Sequence, residues 1–253
     1  MRSWQKQKKR SAYAAVTAVA CVLLAAGLAE AAPFTVADHG QAKCSVVVSA
    51  AADKDVLAAA RVLADYLGKI SGGKFELATG SGTTGIAIGL LPDFPELGLG
   101  KPFDPAPPGV PCEQYLLRSH AKGLYVIGAT DRAVKYAVWD LLYRFGHRQF
   151  FPTPVWEVVP SSPGLSIDVS MTSKPAWYLR WLYADWGTWP ENMICWQAWW
   201  ERNRIQDTGE CYATGEFLDT AQGGPPLAAA FPDEFAKHPE YYALQPDGTR
   251  YKE

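Results

Sequence analysis

EQYLLRSHAKGLYVIGATDRAVKYAVWDLLYRFG, residues 113–146, decides the fold class. EQYLLRSH (113–120) and GLYVIGA (123–129) are two apolar, β-rich runs separated only by Ala121-Lys122, which reads as a hairpin. A helix follows from Asp131 to Phe145, closed by Gly146, with Val134, Ala137, Val138, Leu141 and Phe145 turned inward. Strands leading directly into an amphipathic helix indicate a sheet with helices packed on it.

The same grammar extends upstream. FTVAD (34–38) and CSVVVS (44–49) read as short strands, and a helix is expected from Asp53 as N-cap to Gly68 as terminator. Val56, Ala60, Leu63, Leu67 and Ile70 recur at spacings of four, three, four and three, one face of a 3.6-residue period. KFELAT (74–79) and TGIAIGL (84–90) are strands on either side of a GSG turn. Residues Pro92 to Pro111 contain seven prolines and read as an exposed loop. Downstream, RQFFP (148–152), VWEVVP (155–160) and LSIDVS (165–170) add short strands. The elements are too irregular for strict βαβ alternation, so residues 33–170 read as one α/β domain built on a mixed sheet, with MTSKPA after it as a linker.

Composition changes after Pro175. Seven of the ten tryptophans (Trp177, Trp181, Trp186, Trp189, Trp196, Trp199, Trp200) lie in this next stretch. WYLRWLY reads as a strand and MICWQAWWERNRI (193–205) as a helix, an order that suits the first unit of a (β/α)8 barrel. A complete barrel takes about 250 residues, so residues 175–253 are expected to form only its truncated start.

The N-terminus has the three parts of an export signal. Residues 1–10 carry five cations and no acid, residues 11–28 are apolar or small, and Ala29-Glu30-Ala31 has the form of a cleavage site. Removing residues 1–31 takes Lys+Arg from 24 to 19 and Asp+Glu from 26 to 25, a mature charge of 19 − 25 = −6. That mildly acidic balance excludes a general nucleic-acid binder. The protein is expected to be secreted or periplasmic, meeting the membrane only transiently through its signal.

No metal or cofactor is expected. There is no CxxC or HExxH, and His39, His120, His147 and His238 are far apart in the chain. Pairing among Cys44, Cys112, Cys195 and Cys211 stays open. Gly80 to Gly85, GSGTTG, matches GxGxxG. A dinucleotide loop needs a helix after its glycines, and IAIGL is strand, so the segment reads as a turn.

Two sets of residues could act on a ligand. Sugar C–H faces stack on aromatic rings, so a tryptophan-rich surface on an exported protein suits carbohydrate. The alternative is that Trp177, Trp181, Trp196 and Trp200 are ordinary core. Arg180 among these rings either binds hydroxyls or a carboxylate, or makes a structural ion pair. Asp185, Glu191, Glu201, Glu210 and Glu216 could serve as an acid/base pair only if two stand about 5–10 Å apart across a glycosidic bond. His238, before a proline, reads as structural.

GATDRAVKYAVWDLLYRFGHRQFFP (128–152) resembles the G-x-T-x-R-G-x-x-Y-A-x-x-x-x-L-x-x-x-G-x-R-x-F-x-P stretch that ends the N-terminal α/β domain of α-glucuronidases. The second domain of bacterial β-hexosaminidases shares that fold. FPDEFAKHPEYYALQPDGTRYKE (231–253) resembles a P-x-x-x-x-HPE-x-x-x-L-x-x-D-G-x-R segment of a secreted, glycoside-hydrolase-like bacterial family. One departure is Ala133, where the first pattern often has glycine. The resemblance implies a glycoside hydrolase-like protein acting on polysaccharide or oligosaccharide. It places the catalytic carboxylates on later barrel strands beyond Glu253, leaving none in this chain. It also implies a substrate contact for Arg180 on the first barrel strand, with Trp181 and Trp186 beside it. The other reading is a non-catalytic carbohydrate-binding protein that kept the fold.

Overall fold

The computed structural model describes residues 32–106, 112–177, 180, 182, 190–205, 233–242 and 244–250. Residues 1–31, where an export signal is expected, and Trp181, Trp186, Asp185, Glu210, Glu216 and Cys211 lie outside the described residues. Two compact units divide the chain between Ala176 and Trp177. No helix among the described residues is long and apolar enough to cross a membrane.

The first unit is built on β1 (Phe34–Asp38), β2 (Gln41–Ala42), β3 (Val46–Val48), α1 (Lys54–Ser71), β4 (Leu77–Thr79), β5 (Gly85–Leu90), β6 (Tyr115–His120) and β7 (Gly123–Gly128). It continues through α2 (Asp131–Arg144), β8 (Arg148–Gln149), β9 (Glu157–Val158), β10 (Leu165–Ile167) and β11 (Ser170–Ser173). The principal sheet has six strands in the order β11-β6-β7-β5-β3-β4. β4, β3, β5 and β7 run parallel, and β6 and β11 are antiparallel at the other end. A smaller antiparallel sheet, β10-β1-β2, is separate in its hydrogen bonding but shares the core through Phe34, Val36, Leu165 and Ile167. This is the mixed α/β sheet that the sequence predicts.

Parallel strands buried on both faces should be continuously apolar, and they are: Val46, Val47 and Val48 are all buried, as is β7 throughout. Alternate side chains part to opposite faces. Ile86, Ile88, Leu124 and Val126 meet α1 and α2, packing with Leu63, Leu67, Val134, Val138 and Leu141. Ala87, Tyr125, Ile127 and Leu116 face the other way.

That second face corrects the expectation for the proline-rich stretch. Its first half is a cover. Phe94 is 3% exposed, and Leu91, Leu97, Leu99 and Phe103 pack beside it onto the sheet. Prolines shape two short 3-10 turns, Leu91–Asp93 and Pro95–Leu97, which bring these apolar residues down together. Gln114 locks the far end, accepting from the Asp104 amide at 2.9 Å and donating to the Asp104 carbonyl at 2.8 Å.

Asp53 caps α1 as predicted, its Oδ1 accepting from the Asp55 and Val56 amides at 2.9 Å each. The helix does not stop at Gly68. It runs to Ser71 and is capped by Gly72 at φ 82°. A Cβ on Gly68 would lie 3.0 Å from the Gly73 carbonyl oxygen, so Gly68 makes room for the returning chain instead of ending the helix. Ser170–Ser173, partly assigned to a linker, adds an edge strand by pairing with β6 from Ser170↔Arg118 to Ser173↔Tyr115.

In the second unit, α3 (Pro190–Arg202) realises the tryptophan-rich helix. A short helix, α4 (Glu234–Lys237), precedes a 3-10 turn at Pro239–Tyr241. Leu244 and Arg250 then bridge across a tight turn. Of WYLRWLY, only Trp177, Arg180 and Leu182 are described.

Candidate functional site

Arg180 is the described member of the expected sugar-contacting trio. Its Nε donates to the Arg204 carbonyl at 2.9 Å and its Nη1 to the Trp177 carbonyl at 2.7 Å. These bonds tie its own segment to the turn that ends α3. On that helix, Trp200 is buried at 1% exposure, while Trp196 and Trp199 are half-buried. Trp196 meets Trp199 edge-on at 5.5 Å and leans on Trp200 at 6.0 Å. The core reading therefore holds for Trp200, whereas Trp177 is 75% exposed. Of the described acid candidates, Glu191 is exposed and Glu201 half-buried.

The two motif segments do their visible work in the fold. In 128–152, a Cβ on Gly128 would stand 2.5 Å from the Val134 amide nitrogen, so only glycine admits the start of α2 there. Thr130 caps that helix and donates to the Cys112 carbonyl at 2.8 Å. Arg132 pairs at 3.2 Å with Glu113, whose side chain is 3% exposed. Gly146 turns the chain at φ 96°. Arg148 then donates to the Tyr143 and His147 carbonyls at 2.7 Å each and lies over the Tyr143 ring at 3.4 Å. Helical φ at Ala133 explains why that position does not require glycine.

The HPE…DGTR segment is equally structural. His238 bonds Glu240 at 3.0 Å, and Tyr242 is buried against Phe235 at 4.9 Å. Asp247 Oδ1 accepts from the amide and hydroxyl of Thr249, at 2.9 and 2.7 Å. Gly248 turns at φ 84°, and Arg250 donates to the Tyr242 carbonyl at 2.7 Å. The hydrogen bond from His238 and those from the Glu240 backbone hold the Glu240 carboxyl below its usual range, the backbone being the larger influence.

Two polar clusters were not anticipated. His147 Nε2 lies 2.9 Å from Glu157 Oε1, which also accepts from the Tyr66 hydroxyl. Trp139 and Tyr66 pack their rings against His147 at 5.3 and 5.1 Å. With His147 only 4% exposed, this cluster buckles α1 and α2 to β9 and offers no opening for a substrate. The second cluster gathers Asp53, Asp55 and Asp131, whose carboxylate oxygens lie within 4.8 Å of one another. Burial, then the charges of Asp53 and Asp55, hold the Asp131 carboxyl above its usual range. Asp53 is engaged as a helix cap, and Lys135 already supplies a cation 3.3 Å from Asp55. Its sequence signal was present: Asp53 and Asp131 each begin a helix. Only the side-by-side packing of those helices makes them neighbours.

The described cysteines Cys44, Cys112 and Cys195 are free thiols, and burial pushes the Cys44 thiol up to about 11.

No protein-family model and no curated protein matches the chain. Solved structures do. A family GH115 4-O-methyl-α-glucuronidase, with specificity for decorated arabinogalactans, is similar at 13% identity, covering 55% of this chain and 18% of its own, TM-score 0.39. The GH20 β-N-acetylhexosaminidase from Streptomyces coelicolor A3(2) is similar at 18% identity, with coverage of 57% and 24% and TM-score 0.37. A mutant Streptomyces plicatus β-hexosaminidase in complex with the product GlcNAc is similar at 18% identity, with 59% and 25% and TM-score 0.38. This chain spans a quarter or less of the length of each. The likeness is one of fold, and no site residue or activity is carried across from it.

Proposed function

We propose that this chain is the N-terminal part of an exported glycoside hydrolase-like protein acting on polysaccharide or oligosaccharide. Residues 1–31 would direct export, with cleavage between Ala31 and Ala32. The α/β unit would buttress a (β/α)8 barrel begun by residues 175–253, and Arg180, Trp181 and Trp186 would contact sugar. Two carboxylates on residues after Glu253 would perform acid/base hydrolysis.

The observation that carries this reading is the 128–152 segment. Its resemblance to α-glucuronidases rests on Gly128, Thr130, Arg132, Gly146 and Arg148, and each of these has a defined task in one strand-to-helix unit. A pattern in which these five members each serve the β7–α2 unit or the turn that follows it supports a shared architecture more than a chance likeness does. Reading the gene beyond codon 253 and expressing the longer product tests it. The longer protein should release sugar from xylan or chitin oligosaccharides, and the 253-residue chain should not. Activity in the short chain, or a longer product without paired carboxylates, overturns the reading.

The second reading, a sugar-binding protein without catalysis, draws on one corner of the first unit. There Phe150, Phe151 and Trp156 are 65%, 50% and 52% exposed, rings in water with faces suited to pyranose C–H groups. Sugar-dependent quenching of tryptophan fluorescence, without hydrolysis by any longer product, would select it.

A further inference from the structure

The GSGTTG turn, set aside as a nucleotide loop, borders a cavity of about 430 Å³ that no motif accounts for. It opens beside β3 and β4, with Val47, Ala78 and Thr79 on its wall together with Phe34 and Cys44. The turn is pressed onto the sheet by its glycines. A Cβ on Gly82 would meet Ala87 Cβ at 2.8 Å, and one on Gly85 would meet the Ser45 carbonyl at 2.7 Å. The hydrogen bonds of Gly85 to the Lys122 carbonyl (3.0 Å) and of Ile86 to the Ser45 carbonyl (3.0 Å) hold those two residues on the rim.

The chemistry of the lining is one-sided. Lys43 and Lys122 line the cavity, and no aspartate or glutamate does. Lys122 has no ion pair among the described residues. Lys43 has Asp38 at 3.6 Å with both side chains well exposed, a spacing and setting that hold it weakly. Ser45 and Thr84 add hydroxyls that bond nothing else among the described residues. The amides of Ser81, Gly82 and Thr84 likewise find no acceptor there. Two ammonium groups beside a run of unpartnered backbone donors form a recognised setting for an oxyanion.

We propose that this cavity binds a small polar ligand through an oxyanion, a carboxylate or a sulfate, held between Lys43, Lys122 and the Ser81–Thr84 turn. The volume lies within the range of small-molecule sites and exceeds the needs of a bare ion, which favours an organic acid of monosaccharide size. The proposal rests on the first unit alone and is independent of the glycosidase reading.

Amide NMR of the full chain tests it, with sodium sulfate, sodium galacturonate and neutral galactose as probes at constant ionic strength. Saturable shifts at Gly80–Gly85 with galacturonate, and none with galactose, are expected. Tighter binding of galacturonate than of sulfate would identify an organic acid; equal binding would identify a free inorganic oxyanion. Lys122→Ala, in an exposed turn, should weaken binding about fivefold or more without altering the remaining spectrum. Lys43→Ala should weaken it less. Galactose binding as well as galacturonate, shifts that never saturate, or unchanged affinity in Lys122→Ala would overturn the proposal.

Discussion

The two segments singled out in the sequence differ in how far along the chain their bonds reach. Residues 128–152 depend on partners distant in the chain: Thr130 reaches Cys112, Arg132 reaches Glu113, and Trp139 packs on Tyr66. Among the described residues, the bonds shown for 233–250 join near neighbours, His238 with Glu240, Asp247 with Thr249 and Arg250 with Tyr242. A motif of the first kind is a record of tertiary packing, whereas one of the second kind is a record of a turn. Loss of one residue should therefore propagate in the first segment and stay confined in the second.

The strongest test of that contrast is Gly128→Ala. Its Cβ would meet backbone atoms, the Val134 nitrogen at 2.5 Å and the Thr130 oxygen at 2.8 Å, which cannot rotate aside. A loss of about 3 kcal/mol or failure to fold is expected in urea denaturation of the full chain. A loss under about 1 kcal/mol would mean that the start of α2 yields easily. Next is Arg132→Ala, which leaves Glu113 buried without this charge partner. It should cost about 3 kcal/mol by the same measurement, more than the reverse change Glu113→Ala, because Arg132 can turn toward water.

Arg250→Ala, in the local segment, removes one hydrogen bond to a carbonyl and should cost only about 1 kcal/mol. Amide shifts in residues 33–170 should not change. Spread of the perturbation into those residues would break the comparison.

The smallest effect is a gain. Asp131 has its carboxyl held above the usual range by burial and by Asp53 and Asp55, so the folded protein binds that proton more tightly than the unfolded chain does. The cost of ionising it is absent below the ordinary aspartate range and fully present at neutral pH. Asp131→Asn should raise Tm at pH 7 by on the order of 1 °C, offset in part by loss of a favourable charge at the helix start. The gain should vanish as pH falls through the aspartate range. Calorimetry across that range would show it, and an unchanged or larger gain at acid pH would contradict this account.

Much of the first unit was legible because its signals are local. Strand alternation in TGIAIGL and GLYVIGA, the α1 stripe from Val56 to Ile70, and the Asp53 cap each depend on residues within a few positions. Gly68 was misread because a glycine that permits close approach looks in sequence like one that ends a helix. Phe94, Leu97 and Phe103 were misread because proline density signals a loop, and says nothing of whether apolar residues between the prolines find a sheet to cover. For the Asp53, Asp55 and Asp131 group only the helix starts were legible, since Asp131 is distant in sequence from the other two and meets them only through helix packing.

Taken by itself, the sequence determined the fold class of the first unit and the order of its strands and helices along the chain. Periodicity, capping and turn chemistry act over a few residues, and that range is enough for those conclusions. Tertiary structure alone decided which strands pair, that Ser170–Ser173 joins the sheet edge, and that Arg180 holds backbone carbonyls. It also gathered Lys43, Lys122 and the Ser81–Thr84 turn around one cavity. Those outcomes depend on which distant surfaces can be buried together at native density, a property of the whole packed unit that no window of sequence contains.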